Sequence, residues 1–210
     1  MASSTIAAAT VDTDPFDRML LTADGTVTTL LEACTGEPIV TRTTRQAGPA
    51  TFEELLEVVG RWWHPATQLL DLSPAERLIV RRVTLHGARS GVAHVLAESL
   101  VVPDRLPGEI AESLVRPGAS LGRLLASHHL ESRREILEIV AVRAAEAAEY
   151  LGVHPSATLA RRTYAIRIGR RTVAAITEWL PPGRLTAFCR HRKPTGLSIA
   201  TSGPASAIAR

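Results

Sequence analysis

The most informative residue of this sequence is Arg81, because a strand pattern points it towards the protein interior. The segment Arg77–His86 alternates apolar and polar residues with the period of two that a β-strand requires. Arg81 shares a face with the apolar residues Ile79 and Val83, whereas its neighbour Arg82 falls on the other face. A guanidinium keeps its charge inside a protein, and burying it without a partner is costly. Arg81 therefore requires an anion, which comes either from this protein or from a ligand.

A glutamate on a later strand, Glu178, carries the opposite charge in the same situation. Within the segment Arg171–Leu180, Glu178 shares a face with Ala174 and Ile176. Two buried opposite charges on two strands form either a structural ion pair or the two ends of a site for a polar ligand. The pattern of residues leaves both interpretations open.

Glu98 is the internal candidate for pairing with Arg81. A glycine-flanked turn, 87–91, separates the first strand from a second one, Val92–Val102. If Gly87 pairs with Val92, the register places Glu98 directly opposite Arg81. In that arrangement Glu98 would neutralise Arg81 from within the protein, which is the main alternative to a ligand site at Arg81.

The composition is that of an ordinary globular domain, with 210 residues, of which 45% are apolar and 21% charged. The formal net charge is only +3, the arginines are scattered, and aromatic residues make up 4%, which argues against a nucleic-acid surface. No apolar stretch is long enough to span a bilayer, and the N-terminus lacks the features of a signal peptide. We therefore expect a cytoplasmic protein that binds a small molecule, and neither nucleic acid nor membrane, as a monomer or dimer.

The sequence carries no motif for a metal or an organic cofactor. Its seven histidines and two cysteines, Cys34 and Cys189, lack the spacings of zinc ligands. A nucleophile elbow, a P-loop and a dinucleotide-binding fingerprint are also missing from the sequence. We expect chemistry that uses no metal, no cofactor and no covalent intermediate.

The order of elements predicts an α+β fold with an antiparallel sheet. Residues 1–13 are expected to form a flexible arm, residues 14–182 the folded domain, and residues 183–210 a mobile tail rich in Pro, Gly, Ser and Arg. Strands are predicted at Pro38–Gln46, Arg77–His86, Val92–Val102, Thr158–Ile168 and Thr172–Leu180, and 130–142 is ambiguous between helix and strand. Helices are predicted at about 14–22, 26–33, 52–62, 108–115, 120–127 and 143–151.

Five segments, in their order and spacing, resemble the chorismate pyruvate-lyase family, and in particular its longer bacterial branch. The segments are Leu20–Leu31, Val80–Gly87, Ala97–Pro103, Ser120–His128 and Ile176–Pro181. Each motif is short, but their order is specific, and the resemblance covers about residues 15–182. It implies a six-stranded antiparallel sheet with flanking helices, a fold similar to the effector-binding (UTRA) domains of GntR-type regulators.

The resemblance also implies an activity and the residues that carry it. Members of the family eliminate pyruvate from chorismate to give 4-hydroxybenzoate without metal or cofactor, and they hold the product in an internal site under helical flaps. By this resemblance Arg81 binds the ring carboxylate and Glu178 contacts the 4-hydroxyl group. Further substrate-binding positions would be Leu121 and Gly122, whose backbone lines the pocket, and Thr26 and Val27 at the start of a helix.

Two questions stay open at the level of sequence. The second carboxylate of chorismate needs another cation, for which Arg123 and Arg134 are candidates. The substrate could instead be a chorismate analogue such as aminodeoxychorismate, or the product another hydroxybenzoate. A non-enzymatic effector-binding domain is a further alternative, although the residues before Pro38 contain no basic recognition helix of the kind that DNA-binding regulators use.

Overall fold

A computed structural model describes residues 14–55, 57 and 68–190 of the chain. Its centre is a six-stranded sheet in which neighbouring strands run antiparallel in the order β1-β2-β3-β6-β5-β4. The strands are β1 Ile39–Thr51, β2 Arg77–Gly87, β3 Ala93–Val101, β4 Arg133–Arg143, β5 Thr158–Ile168 and β6 Arg171–Leu180. The predicted fold class is therefore confirmed, and the segment that sequence patterns left ambiguous forms the edge strand β4.

Six helices with bounds inside the described part of the chain flank the sheet. They are α1 Pro15–Thr22, α2 Val27–Thr35, α3 Gly108–Leu114, α4 Leu121–Ser127, α5 Ala145–Tyr150 and α6 Arg184–Arg190, and a 3-10 turn spans Pro103–Arg105. Helix α1 begins where the Asp14 carboxylate accepts a hydrogen bond from the Asp17 N–H at 2.9 Å. Helix α2 ends at Gly36, whose φ of 61° places it in the left-handed region. No described helix is long and apolar enough to cross a membrane.

The helices cover the two faces of the sheet unequally. Helices α1, α2, α3, α4 and α6 contribute buried leucines and isoleucines to the cores on one face. On the opposite face, α5 packs Ala147 and Ala148 against Trp179, while Leu55 and Leu70 cover the neighbouring strands. Because both faces of the sheet are covered, side chains that point to either face can be buried. A charged side chain on either face therefore needs a partner.

A β-bulge changes the predicted register between β2 and β3. Near the turn the pairing is as predicted, since the Gly87 N–H donates to the Val92 carbonyl at 3.0 Å. His94 is then an additional residue on β3, so that Leu85 pairs with Val95 and every later pair is shifted by one position.

The boundaries of the predicted domain change at its C-terminal end. Helix α6 begins at Arg184, and its buried residue Leu185 joins the core formed by α1 and α2, so the packed part of the chain extends beyond the predicted boundary at 182. The remainder of the predicted tail, the arm at 1–13 and most of the helix predicted at 52–62 lie outside the described residues.

Candidate active site

An internal cavity lies between the sheet and the starts of helices α2 and α4. The sheet provides its floor, and the two helix starts form its walls. The lining residues are Thr26, Val27, Thr28, Thr41, Arg81, Val83, Leu85, Ala97, Ser99, Ala119, Ser120, Leu121, Gly122, Arg134, Tyr164, Ile166, Ile176 and Glu178. Seven residues selected from the sequence thus line one cavity, namely Thr26, Val27, Arg81, Leu121, Gly122, Arg134 and Glu178.

Arg81 is a buried cation that has only neutral partners. Its side chain donates from Nε to the Gln46 side-chain oxygen at 3.0 Å and from Nη2 to the Ala119 carbonyl at 2.8 Å. The residue is 3% exposed, and none of the ion pairs among the described residues includes it. Burial lowers the pKa of Arg81 to about 10, which still leaves the group charged at neutral pH. A buried guanidinium in a cavity is therefore available to an anionic ligand.

Glu178, by contrast, already has a cationic partner. Arg162, directly opposite on β5, donates from Nε to the Glu178 Oε2 at 2.7 Å, and the Tyr164 hydroxyl donates to Oε1 at 3.0 Å. All three side chains are buried. Burial raises the pKa of the Tyr164 hydroxyl well above its usual range, so Tyr164 remains a hydrogen-bond donor. The two donors fix the orientation of the Glu178 carboxylate at the cavity wall.

Arg162 also connects the sheet to helix α1. Its Nη1 donates to the carbonyl oxygen of Leu20, and lies 3.3 Å from those of Leu21 and Ala23. The first two carbonyls belong to the last turn of α1 and the third to the residue that caps it, where no intrahelical donor is available. The guanidinium stands 5.0 Å from the centre of the Tyr164 ring.

Arg134 is the second cation in the cavity lining without a carboxylate partner. It reaches across from β4 and donates to the Asp24 carbonyl at 2.8 Å and to the Thr26 hydroxyl at 3.4 Å. Its buried Nε has no hydrogen-bond partner among the described residues, and it belongs to none of their ion pairs. Of the two candidates for a second carboxylate, Arg134 is therefore the one placed at the cavity.

Arg123, the other candidate, lies outside the cavity. Its guanidinium pairs with the Glu32 carboxylate and donates to the Ile39 carbonyl at 3.1 Å, and its side chain is 49% exposed. The reason is the geometry of α4, which directs Leu121 and Leu125 inwards and Arg123 towards α2. The expected role of Arg123 in substrate binding is thus not supported by its position.

Gly122 permits the close approach of the two cavity walls. A Cβ atom at this position would lie 2.9 Å from the Thr26 methyl carbon and 3.4 Å from the Arg134 Nη2. A larger residue at position 122 would require the Thr26 side chain or helix α4 to shift. The glycine therefore has a steric function in the wall that complements the backbone role expected from the sequence.

The expectation that Glu98 partners Arg81 is wrong. Because of the bulge at His94, Arg81 lies opposite Ser99 and Arg82 lies opposite Glu98. The Glu98 carboxylate pairs with the Arg82 guanidinium on the opposite face of the sheet, away from the cavity. Burial raises the pKa of Glu98 to about 7 although the Arg82 charge lowers it.

Sequence analysis missed Arg162 and Tyr164, although the signal was present. On β5 the alternation places Arg162 with Ala160 and Ile166 on an apolar face, which is the argument that selected Arg81.

For metal ions the prediction remains untested: among the described residues, no group of three or more His, Cys, Asp or Glu side chains could hold one.

The chain is similar to known proteins in sequence and in fold. The family model described as Chorismate pyruvate-lyase Rv2949c-like matches residues 21–189. A chorismate pyruvate-lyase from Mycobacterium leprae is 30% identical over 122 residues, which are 58% of this chain and 52% of the relative. A chorismate pyruvate-lyase from Mycobacterium tuberculosis H37Rv is 28% identical over 118 residues, 56% of this chain and 55% of the relative. The chain thus matches about half the length of each relative.

The fold is also found in solved structures. The effector domain of PhnF from Mycobacterium smegmatis superposes with a TM-score of 0.54 at 14% identity, covering 76% of this chain and 90% of that domain. At this identity the likeness concerns the fold alone. The match of the family model over most of the chain identifies it as a member of the Rv2949c-like chorismate pyruvate-lyase family.

Proposed function

We propose that this protein eliminates pyruvate from chorismate to give 4-hydroxybenzoate, and that its own side chains suffice for the reaction. The observation that carries the proposal is Arg81, a charged guanidinium buried in a cavity with neutral partners only. Such a group is costly to maintain unless an anion binds to it. The ring carboxylate of chorismate can accept two parallel hydrogen bonds from a guanidinium, and it is the anion that the family relationship suggests.

The strand positions of Arg81 and Glu178 support a site for a six-membered ring with polar groups at its two ends. Their strands, β2 and β6, are separated by β3, so the backbones lie about 10 Å apart at two strand spacings. Both long side chains line the same cavity, and we place the ring of the substrate between them. In this arrangement the carboxylate at C1 meets Arg81 and the hydroxyl at C4 donates a hydrogen bond to the Glu178 carboxylate.

The position of Arg134 supports a role in binding the second carboxylate. Chorismate carries its enolpyruvyl ether at C3, next to the C4 hydroxyl, so that the second carboxylate extends beyond the Glu178 end of the ring. Glu178 on β6 lies between Arg81 on β2 and Arg134 on β4 in the strand order, which is the sequence of groups that the substrate presents. The first N–H groups of α2, at Val27 and Thr28, lack intrahelical acceptors and also line this side of the cavity.

The reaction requires little beyond orientation and charge complementarity. The C3–O bond breaks, the proton at C4 is lost, and the enolpyruvyl group gains a proton to become pyruvate, while the ring becomes aromatic. Arg134 would stabilise the negative charge that develops on the departing enolpyruvate. Glu178, held by Arg162 and Tyr164, retains lone pairs for the substrate hydroxyl and would position C4 rather than act as the principal base.

Product analysis tests this proposal. The purified protein with chorismate should release pyruvate and 4-hydroxybenzoate in equal amounts, and the rate should be unchanged by EDTA. Pyruvate is measured by coupling to lactate dehydrogenase and the aromatic product by chromatography. An aromatic product formed only in the absence of chelator, or no product at all, would contradict the proposal.

The same assay separates two alternatives. Formation of an aminobenzoate from aminodeoxychorismate, without turnover of chorismate, would identify an analogue as the substrate. Binding of 4-hydroxybenzoate or chorismate without any turnover would favour a non-enzymatic effector-binding role, for which the fold likeness to the PhnF effector domain is the motivation.

A further inference from the structure

We infer that Arg162 is a positioning residue of this site, which holds the Glu178 carboxylate and the end of helix α1 in one fixed arrangement. The inference rests on the proposed function, because Glu178 is the group that Arg162 would position for the substrate. Arg162 is 1% exposed and does not itself line the cavity, so it would act through its partners.

The first link runs from Arg162 to the substrate hydroxyl. One donor serves each oxygen of Glu178, with Arg162 Nε at 2.7 Å from Oε2 and the Tyr164 hydroxyl at 3.0 Å from Oε1. A carboxylate held at both oxygens cannot rotate freely, so its remaining lone pairs keep one direction. Without Arg162, only Tyr164 would define that direction.

The second link runs from Arg162 to the cavity wall. Its Nη1 contacts three carbonyls near the end of α1, those of Leu20, Leu21 and Ala23. The next carbonyl, that of Asp24, accepts a hydrogen bond from Arg134. Two arginines therefore hold the short connection between α1 and α2, and that connection leads directly to Thr26 in the cavity lining.

A purely stabilising role explains this arrangement poorly. A buried ion pair often contributes no more to stability than apolar residues of similar volume would, because both charges lose their hydration. Arg162 instead joins Glu178 in the cavity lining to the end of α1, from which the chain continues to Thr26 in the same lining. Its fork of donors can serve a carboxylate and backbone carbonyls at the same time, which a lysine cannot do.

The chain contains a matched control in Arg161. This residue precedes Arg162 on β5 but lies on the opposite face, where its Nη2 pairs with the Glu138 Oε2 at 2.5 Å. Arg161 is the same residue type as Arg162 and its neighbour on the same strand, but it does not line the cavity that contains Glu178.

The experiment compares Arg162→Met and Arg162→Lys with Arg161→Met in single turnovers of chorismate. We expect Arg162→Met to lower the single-turnover rate about thirtyfold or more, Arg162→Lys to restore part of it, and Arg161→Met to remain within about twofold of the parent protein. Urea unfolding identifies variants that do not fold. If Arg162→Met fails to fold, the single-turnover rates of Arg162→Lys and Arg161→Met are compared instead. Equal rates for these two variants would overturn the inference.

A double-mutant cycle tests whether Arg162 acts through Glu178. If it does, adding Glu178→Gln to the more active Arg162 variant that folds should leave the rate within about threefold of the slower single variant. Fully multiplicative effects would show that the two residues act independently and would overturn the inference.

Amide hydrogen exchange tests the positioning role of Arg162 without any turnover of chorismate, so the positioning role and the proposed function can be refuted independently. Exchange between residues 21 and 28 should accelerate about tenfold or more in Arg162→Lys and stay unchanged in Arg161→Met, because a lysine cannot retain both sets of contacts. A parent protein that does not turn over chorismate would refute the proposed function alone. Unaltered exchange in the Arg162 variant would refute the positioning role alone.

Discussion

The two faces of the sheet each bury an arginine–glutamate pair, but they differ in what surrounds it. On the cavity face Arg162 pairs with Glu178, and Arg81 and Arg134 stand nearby without carboxylate partners. On the opposite face Arg82, half-buried beside the groove that Glu98 lines, pairs with both Glu98 and Glu146, whereas Arg143 at the same groove is exposed to solvent. Arg161 on that face pairs with Glu138.

We therefore propose that a surplus of buried positive charge, rather than a buried charge alone, marks the ligand site. Three arginines and one carboxylate leave two positive charges at the cavity, which is the complement of a molecule with two carboxylates. The pair on the opposite face is balanced from within the protein. The following predictions test this contrast.

The largest effect is expected from Arg81→Ala, compared with Arg82→Ala. Removing one partner of a desolvated charge pair costs about 2–5 kcal/mol, so kcat/KM should fall roughly thirtyfold to several-thousandfold in Arg81→Ala. Arg82→Ala should alter stability and leave kcat/KM of the folded fraction within about threefold. Steady-state kinetics with chorismate and calorimetric titration with 4-hydroxybenzoate measure both effects. Equal losses of kcat/KM in the two variants would remove the distinction between the two faces.

Strand periodicity explains why this distinction could be predicted from sequence. Alternation is strict within a strand, so the faces of Arg81, Arg82 and Glu178 follow from their parity alone. The pairing partner of Glu98 did not follow, because one additional residue, His94, shifts the register beyond the bulge. Such a bulge depends on the local backbone and on the packing of both strands, and residue patterns in one sequence do not reveal it.

The same reasoning separates what could be anticipated about the cavity from what could not. The cavity is formed by segments far apart in the chain, and only the resemblance in the order of motifs predicted that they meet. Periodicity alone does not show which helix starts lie next to each other. The choice of Arg134 over Arg123 needed the three-dimensional path of β4 and α4. Helix α6 was missed because the tail as a whole is polar, although Leu185 is apolar and packs well.

An intermediate effect is expected from Arg134→Met, with Arg123→Met as the control. A hydrogen bond to a charged group contributes about 1.5–3 kcal/mol, so kcat/KM for chorismate should fall roughly tenfold to a hundredfold. The affinity for 4-hydroxybenzoate should stay within about twofold, because that product lacks the enolpyruvyl carboxylate. Arg123→Met should change neither quantity. A parallel loss of product affinity in Arg134→Met would mean that Arg134 binds the ring carboxylate or supports the fold of the cavity.

The smallest effect concerns the pair of Arg82 and Glu98 and the dependence of the free energy of unfolding on pH. Burial raises the pKa of Glu98 to about 7, above its usual value of 4.5, so the folded protein binds a proton more readily than the unfolded chain does. The contribution of this group to stability is therefore complete below about pH 4.5 and is lost as pH rises through about 7. A single pKa unit corresponds to about 1.4 kcal/mol, which limits the change to about 3 kcal/mol.

Comparing the parent protein with Glu98→Gln isolates this contribution. Burial lowers the pKa of His94 to about 4, and that residue opposes the trend below about pH 6.5 in both proteins, so only the difference between their profiles reports on Glu98. Urea unfolding from pH 4.5 to pH 8 should show the free energy of unfolding declining more steeply in the parent protein. The kcat/KM for chorismate of the folded Glu98→Gln variant should stay close to that of the parent, because Glu98 lies across the sheet from the cavity. If the two unfolding profiles run parallel, the pKa of Glu98 is the same in the folded and the unfolded protein, because the Arg82 charge then offsets the effect of burial.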